Sequence, residues 1–165
     1  MKASDTILDI VLEDFTAALY AEMEEMVVDH AEDTDNLCGS LPEPDIEIHL
    51  KMQEMGILKF FTLRDKGKLV GYIFYSVMPN IQFKRVVVAS QMGLFVDREY
   101  RRTLGAFSLI SDSEYILKTF GINAIIQHTN IKHDIGRLYE SKGYELYDKC
   151  YIKVIEEVGR CHSEQ

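Results

Sequence analysis

Residues 86–128 constrain the fold more than any other part of the chain. VVVASQMGLFV, residues 86–96, is rich in β-branched and aromatic side chains and predicts a strand, in which Gly93 predicts a bulge or a close approach of the backbone to a ligand. A charged turn then leads into an amphipathic segment that ends at Gly121, and INAIIQHT, residues 122–129, predicts a second strand. Strands that are joined through a helix run parallel with a right-handed crossover. The pattern therefore predicts an α/β fold.

The flanking segments add helices and strands to this unit. TILDIVLED, residues 6–14, predicts a strand, and the apolar residues of 15–31 recur at helical spacing. A second helix is expected from about residue 45 to 55, before Gly56, and residues 57–78 predict a hairpin that turns at residues 65–67. Residues 134–141 predict a short helix, and YELYDKCYIKVI, residues 144–155, predicts a last strand.

Length and composition fit one globular domain. The chain has 165 residues, of which 47% are hydrophobic, and this supplies a substantial core. We expect one domain over residues 1–156 and a flexible tail over residues 157–165. Cys38, Cys150 and Cys161 are odd in number and lack ligand spacing, so neither a disulfide framework nor a metal site is expected, and a reducing cytoplasm is the expected location. No apolar run approaches the roughly 20 residues of a membrane span.

The charges are divided unevenly along the chain. Residues 3–50 hold 14 Asp or Glu and no Lys or Arg, whereas residues 51–165 hold 13 acids and 17 bases, a net +4 within a chain whose total is −9. A nucleic-acid groove across the protein would need a continuous basic face, so this pattern argues against a nucleic-acid partner. It is compatible with one anionic and one cationic ligand meeting at one site. The acidic segment can also be a solvated face that serves solubility alone.

The turn DREYRRTLGAFSLI, residues 97–110, raises the question of an anion site. Backbone N–H groups at the start of a helix point toward any bound anion, and the helix dipole favours negative charge there. The local sequence leaves two interpretations open, an anion-binding turn or an ordinary helix with a charged start.

Three segments in this order resemble motifs of the GCN5-related N-acetyltransferase (GNAT) superfamily. GLFVDREYRRTLGAFSLI, residues 93–110, is similar to the end of the family's fourth strand and its pyrophosphate-binding turn, commonly Q/R-x-x-G-x-G/A. LYESKGYEL, residues 138–146, is similar to its LYxxxGF segment, and QHTN, residues 127–130, ends the strand between them. The resemblance covers about residues 6–155. It implies the GNAT, or acyl-CoA N-acyltransferase, fold, with a mixed central sheet of about six or seven strands flanked by helices.

The resemblance also implies where acetyl-CoA, the acyl donor, would bind. In this family the pantetheine arm lies beside a splayed strand, which here corresponds to Leu94, Phe95 and Val96. The diphosphate would lie on the turn formed by Arg101, Arg102, Thr103, Leu104, Gly105 and Ala106. Leu104 stands where the family has glycine. Lys132 replaces the asparagine often found seven residues before the helix tyrosine, and Asn130, two positions earlier, is the remaining candidate for that contact.

The family's catalytic chemistry points to two side chains. Tyr139 matches the tyrosine near the CoA sulfur that acts as the general acid, although a tyrosine packed against the sheet is the alternative. His128 is a candidate general base because an imidazole suits proton transfer near neutral pH, although a structural role is the alternative. Glu25, His30 and His49, on the two helices that wall the acceptor side in this fold, are further candidates, and removal of the proton through water is another.

The leading hypothesis is an acetyl-CoA-dependent N-acyltransferase that moves an acetyl group to a primary amine, either a small cationic amine or a protein amine. One rival is a non-catalytic CoA-binding or interaction module with the same fold. Another is a transferase of a different acyl or aminoacyl group. No membrane partner is expected, and a homodimer is compatible with the sequence.

Overall fold

The computed structural model describes residues 8–33, 44–101 and 104–155. The strands in these ranges are β1 (Leu8–Glu13), β2 (Leu58–Asp65), β3 (Lys68–Pro79), β4 (Val87–Val96) and β5 (Ala124–Ile126). The helices are α1 (Ala17–Asp33), α2 (Ile46–Glu54), α3 (Gly105–Thr119) and α4 (Gly136–Ser141). The expected tail, residues 157–165, Cys38 and Cys161 lie outside the described residues.

The strands form one mixed sheet in the order β1-β2-β3-β4-β5. The first four strands are antiparallel to their neighbours, and β5 runs parallel to β4. The tight connection between β2 and β3 places Lys66 and Gly67 at positive φ, 51° and 88°. The strand–helix–strand unit and the hairpin that the sequence predicts are both confirmed.

The prediction of six or seven strands is wrong for the described part of the chain, where the sheet has five. Residues 144–155 carry alternating apolar and polar side chains but form no strand in the structure. A strand requires hydrogen bonds from a neighbouring strand, whereas side-chain alternation records only which residues would share a face. Leu146 and Ile152 are 79% and 72% exposed, so this apolar pattern is not buried either.

One part of the core lies between the sheet and α3. Leu109, Ile110, Ser113 and Leu117 recur along one side of the helix and are completely buried. The Tyr75 hydroxyl on β3 lies 3.1 Å from the Ser113 hydroxyl, which satisfies both polar groups inside this apolar layer. These four buried residues therefore determine which side of α3 faces the sheet, and they also determine the position of the turn that precedes the helix.

The chain divides into two compact units. The first contains the described residues up to Met26 and Asp45–His128, and so holds the whole sheet, α2, α3 and most of α1. The second contains the end of α1 and the described residues from Thr129, including α4. The single domain expected over residues 1–156 stays a prediction. None of the described helices is long and apolar enough to cross a membrane.

Candidate functional site

The two parallel strands separate after only three residue pairs. The last pair is Ser90 on β4 opposite Ile126 on β5. The Gln91 side chain spans the point of separation, because its Oε1 accepts the backbone N–H of His128 at 2.9 Å. Beyond it, β4 continues to Val96 with β3 on one side, and no strand within the described ranges pairs with its other side. The separation opens an edge of β4 immediately before the turn into α3.

A β-bulge lies at the beginning of this open edge. Phe74 pairs with Gly93 and Tyr75 pairs with Gln91, so β4 carries one extra residue, Met92, between them. A Cβ atom built on Gly93 would overlap the ring of Phe74. Gly93 therefore allows the Phe74 ring to lie directly against the β4 backbone. The bulge expected at this glycine is confirmed, whereas a close approach of its backbone to a ligand stays a prediction.

The three residues after the bulge pair with β3. Leu94 is half-buried, whereas Phe95 and Val96 are buried, and they lie opposite Ile73, Tyr72 and Gly71. The antiparallel ladder holds this stretch of β4 extended along its length. The candidate pantetheine contacts are therefore consecutive residues on the part of β4 that has left β5.

The turn and the start of α3 follow from this edge. Leu104 precedes the first helical residue, Gly105, and has φ −73° and ψ 3°, a conformation that does not require glycine. Its side chain is 75% exposed, whereas Gly105 is buried and Ala106 half-buried. Leu104 makes no side-chain hydrogen bond to the helix start, where the first N–H groups of any α-helix lack a carbonyl partner within the helix. Arg102 and Thr103 lie outside the described residues.

Arg101 folds back from the turn onto the end of β4. Its Nε donates to the carbonyl oxygen of Val96 at 2.7 Å, and its guanidinium carbon lies 5.2 Å from the centroid of the Phe95 ring. A cation at this distance over an aromatic face is attracted by the ring. The contact places a fixed positive charge beside β4 and just before the helix start.

His128 lies at the other end of the open edge. Its Nε2 is 3.1 Å from the hydroxyl of Ser90, and the residue is exposed. Ser90 pairs with Ser76, two residues beyond Phe74 along β3, so Ser90 and Phe74 share one face of the sheet. The candidate base and the aromatic ring over the bulge therefore lie on the same face.

Tyr139 and Asn130 belong to the second unit. Tyr139, on α4, is 5% exposed, and the centroid of its ring lies 5.6 Å from that of Tyr144. The Asn130 side-chain oxygen accepts the backbone N–H of Lys132 at 2.8 Å, which closes a local turn. The catalytic role of Tyr139 and the cofactor contact of Asn130 stay predictions.

Tertiary pairing neutralises part of the acidic N-terminal segment. The guanidinium of Arg64, on β2, forms two hydrogen bonds with Glu13, at 2.6 and 2.9 Å, and a third with Glu22, at 2.8 Å. The Thr62 hydroxyl also donates to Glu13. These hydrogen bonds, chiefly those of Arg64, hold the pKa of Glu13 below its ordinary value even though partial burial opposes that shift, and the pairing raises the pKa of Arg64. Local sequence gave no sign of this cluster, because Glu13 and Arg64 are 51 residues apart.

His49, on α2, occupies an aromatic slot on the same face as Phe74. The centroid of its ring is 5.1 Å from that of Phe15 and 5.9 Å from that of Phe74. Its Nδ1 lies 2.7 Å from the carbonyl oxygen of Asp45, one turn earlier in the chain. The sequence placed His49 on the acceptor-side helices but could not show that it reaches β3.

No group of three or more His, Cys, Asp or Glu side chains within the described ranges is arranged to hold a metal ion.

Solved structures share this architecture. No protein-family model matches the sequence, and neither does any curated protein. The ribosomal-protein-alanine N-acetyltransferase of Brucella melitensis biovar Abortus 2308 superposes with a TM-score of 0.72 at 16% identity, over 90% of this chain and 98% of that one. The aminoglycoside acetyltransferase meta-AAC0020 from an uncultured soil metagenomic sample, in complex with sisomicin, gives 0.68 at 14% identity, over 92% and 97%.

A third structure carries a ligand that contains CoA. AAC(6')-Iy in complex with the bisubstrate analog CoA-S-monomethyl-acetylneamine gives a TM-score of 0.65 at 16% identity, over 90% of this chain and 98% of that one. The similarity covers at least 90% of this chain and at least 97% of each of the three proteins. The chain has the GCN5-related N-acetyltransferase fold.

Proposed function

We propose that this protein is an acetyl-CoA-dependent N-acyltransferase that transfers an acetyl group to a primary amine. The observation that carries the proposal is the open edge of β4, which begins where the β4–β5 ladder ends at Ser90 and leads directly into the turn before α3. An extended amide-containing chain can lie along such an edge, and an anion can lie at the helix start that follows it. Acetyl-CoA combines both groups in one molecule.

The donor would lie with its diphosphate at residues 101–106 and its pantetheine arm beside Leu94, Phe95 and Val96. The exposed side chain of Leu104 supports this placement, because a leucine side chain directed to solvent does not fill the space at the helix start where the diphosphate would lie. The Arg101 guanidinium, held against Phe95, adds positive charge beside the diphosphate position. The arm would then run from Val96 back toward Gly93, which brings the thioester to the bulge.

The acceptor in this proposal is a cationic amine. Residues 13–50 contain 12 acids and no Lys or Arg, so this part of the protein attracts cations at long range. Glu13 and Glu22 are paired with one arginine, Arg64, so together the three residues contribute a single negative charge to that field. Glu24 and Glu25 on α1 are exposed, and Glu25 was already a candidate on the acceptor side. These two carboxylates are the ones that we expect to favour a cationic substrate.

One observation favours a non-catalytic, CoA-binding or interaction module as the second candidate. The Arg101 Nε donates a hydrogen bond to the carbonyl oxygen of Val96. An amide N–H of an incoming pantetheine arm could otherwise donate to the same oxygen. If this contact persists, the end of the β4 edge stays closed to the arm. The two candidates differ in whether thiol is released from acetyl-CoA.

Calorimetric titration with acetyl-CoA, followed by a thiol-release assay, tests the proposed function. The acceptors are spermidine, a lysine-containing peptide, a peptide with a free N-terminal amine and a neutral hydroxylated amine, each at low and at high salt. We expect binding of acetyl-CoA and release of thiol with at least one amine. The preference for cationic acceptors should weaken at high salt and in the variant with both Glu24→Gln and Glu25→Gln, in which Glu22 is kept because it pairs with Arg64.

Binding without thiol release from any acceptor would favour the non-catalytic module. Lack of binding would contradict the transferase and the CoA-binding module and would favour an interaction module. Equal rates for cationic and neutral amines at both salt concentrations would show that the acidic residues do not select the acceptor. The proposal of transferase activity would not be affected by that result.

Replacing Tyr139 by phenylalanine tests the acid role that the family resemblance gives to this residue. Because only the phenolic hydroxyl is lost, the affinity for acetyl-CoA should persist while kcat falls by about 10- to 100-fold. The two quantities are measured by calorimetry and by initial rates of thiol release. A change in kcat of less than about twofold would contradict the acid role and would indicate that Tyr139 only packs against Tyr144.

A further inference from the structure

The hydrogen bond of His49 fixes which of its ring nitrogens is basic. Nδ1 lies 2.7 Å from the carbonyl oxygen of Asp45, and a carbonyl oxygen only accepts hydrogen bonds. Nδ1 must therefore carry a proton, and in the neutral ring Nε2 then bears the lone pair. Within the described part of the chain, no hydrogen-bond partner contacts Nε2. His49 thus presents an available proton acceptor in a defined tautomer.

Packing fixes the ring as well as its tautomer. Phe15 lies against it with a centroid distance of 5.1 Å, and Phe74 approaches to 5.9 Å. Phe74 in turn covers Gly93 at the β4 bulge. The chain of contacts from His49 through Phe74 to Gly93 leads to the position where the proposed function places the thioester.

We propose that His49 is the general base of the acetyl transfer. The inference rests on the proposed function. The protonated acceptor amine gives one proton to Nε2 of His49, and the neutral nitrogen then attacks the thioester carbonyl carbon. A C–N bond forms and the C–S bond breaks. As the C–S bond breaks, the attacking nitrogen loses its second proton, and the CoA thiolate takes up one proton from a general acid that this second proton restores. The proton on His49 returns to solvent, so that one proton is released for each turnover.

The charged groups around His49 are otherwise engaged. On its own helix the Asp45 side chain accepts the backbone N–H of Ile48 at 3.0 Å, and Glu47 pairs with Lys51. On the segment before α1, the Asp14 carboxylate accepts the side-chain amide of Gln53 at 2.7 Å. The rings of Phe15 and Phe74, which pack against His49 from the other elements, carry no charge. Within the described part of the chain His49 forms no ion pair, and its ring packs against aromatic side chains.

His128 is the rival base on the same face of the sheet. Its Nε2 lies 3.1 Å from the Ser90 hydroxyl, so that nitrogen is already engaged whichever of the two atoms donates. Its backbone N–H is held by Gln91 across the point where the strands separate. These contacts give His128 a structural role in holding β5 to β4. The lone pair on Nε2 of His49, in contrast, accepts no hydrogen bond from the described residues.

The test compares His49→Gln and His49→Phe with the wild-type enzyme, using the best acceptor from the amine panel. Phenylalanine keeps the ring packing and glutamine keeps a hydrogen-bond donor, but neither keeps a base. Near neutral pH we expect kcat/KM to fall about 100-fold in both variants, with acetyl-CoA affinity unchanged in calorimetry. With an acceptor amine whose pKa is close to the ordinary lysine value, kcat/KM of the variants should rise about tenfold per pH unit between about pH 7 and 9, because solvent then deprotonates the amine, while the wild type stays nearly level. His133→Gln, in an exposed loop, is the matched control for loss of a histidine.

A loss of activity that is equal at all pH values would show that His49 only supports the structure, and wild-type rates in both variants would remove it from the reaction. If His128→Gln shows the pH-dependent rescue and the His49 variants do not, the base is His128. In each of these outcomes the wild-type enzyme still transfers acetyl groups, so the proposed function survives. Absence of transfer by the wild type with every amine would overturn both the proposed function and this inference.

Discussion

Replacing Gly105 by proline should weaken acetyl-CoA binding at least about 100-fold while most of the fold persists. Gly105 is the first residue of α3, where a helix tolerates proline. The substitution nevertheless removes one backbone N–H from the proposed diphosphate site. It also disfavours the helical conformation of Leu104, whose ψ is 3°, and so displaces the turn. A 100-fold change corresponds to about 2.7 kcal/mol of binding free energy, and calorimetry with acetyl-CoA measures it.

Gly105→Ala is the matched control for the proline variant. Alanine keeps the N–H and adds only a methyl group, so a smaller loss of affinity in this variant separates the missing donor from crowding at a buried position. Circular dichroism and thermal unfolding confirm that each variant is folded. If folded Gly105→Pro protein binds acetyl-CoA as tightly as the wild type, the diphosphate does not lie at this helix start.

Replacing Arg64 by methionine should lower the free energy of unfolding by about 2 to 3 kcal/mol at neutral pH. The substitution leaves the Glu13 carboxylate, whose side chain is 25% exposed, without the guanidinium that forms two hydrogen bonds with it. Glu22, which is 49% exposed, loses less because water can solvate it. Chemical denaturation of both proteins measures the difference.

The effect of Arg64→Met should depend on pH in a defined direction. Arg64 holds the pKa of Glu13 below its ordinary value of 4.5, so the folded state binds the Glu13 proton more weakly than the unfolded state does. The stabilisation is therefore fully present above pH 4.5 and is lost as the pH falls through the lowered pKa. The difference between wild type and variant should shrink on acidification below about pH 4.5.

Lys51→Met supplies the control for this pair. Lys51 and Glu47 lie 3.8 Å apart with side chains that are 69% and 84% exposed, so breaking the pair should change stability by less than about 0.5 kcal/mol. If the Arg64 and Lys51 variants are equally stable, or if the Arg64 effect is the same at every pH, the Glu13–Arg64 pair does not stabilise the fold.

The sequence by itself determined the order of the elements from β1 to α4. Local periodicity marks the first four strands and α3, because the alternation of a strand and the 3.6-residue repeat of a helix are visible within about ten residues. The turn at Gly67 and the end of α2 just before Gly56 are likewise local, since glycine readily adopts the positive φ found at both positions. The family motifs then placed the turn at residues 101–106 between a strand and a helix.

The tertiary structure alone decided which side chains meet. Arg64 reaches Glu13 across 51 residues, and His49 reaches Phe74 across 25, so no local window contains either contact. The same limit explains the wrong prediction for residues 144–155, where side-chain alternation is present but no hydrogen-bonded neighbour is found within the described part of the chain. A sequence pattern records what each segment prefers, whereas sheet register and packing between distant segments determine which charges are neutralised and which histidine nitrogen stays available.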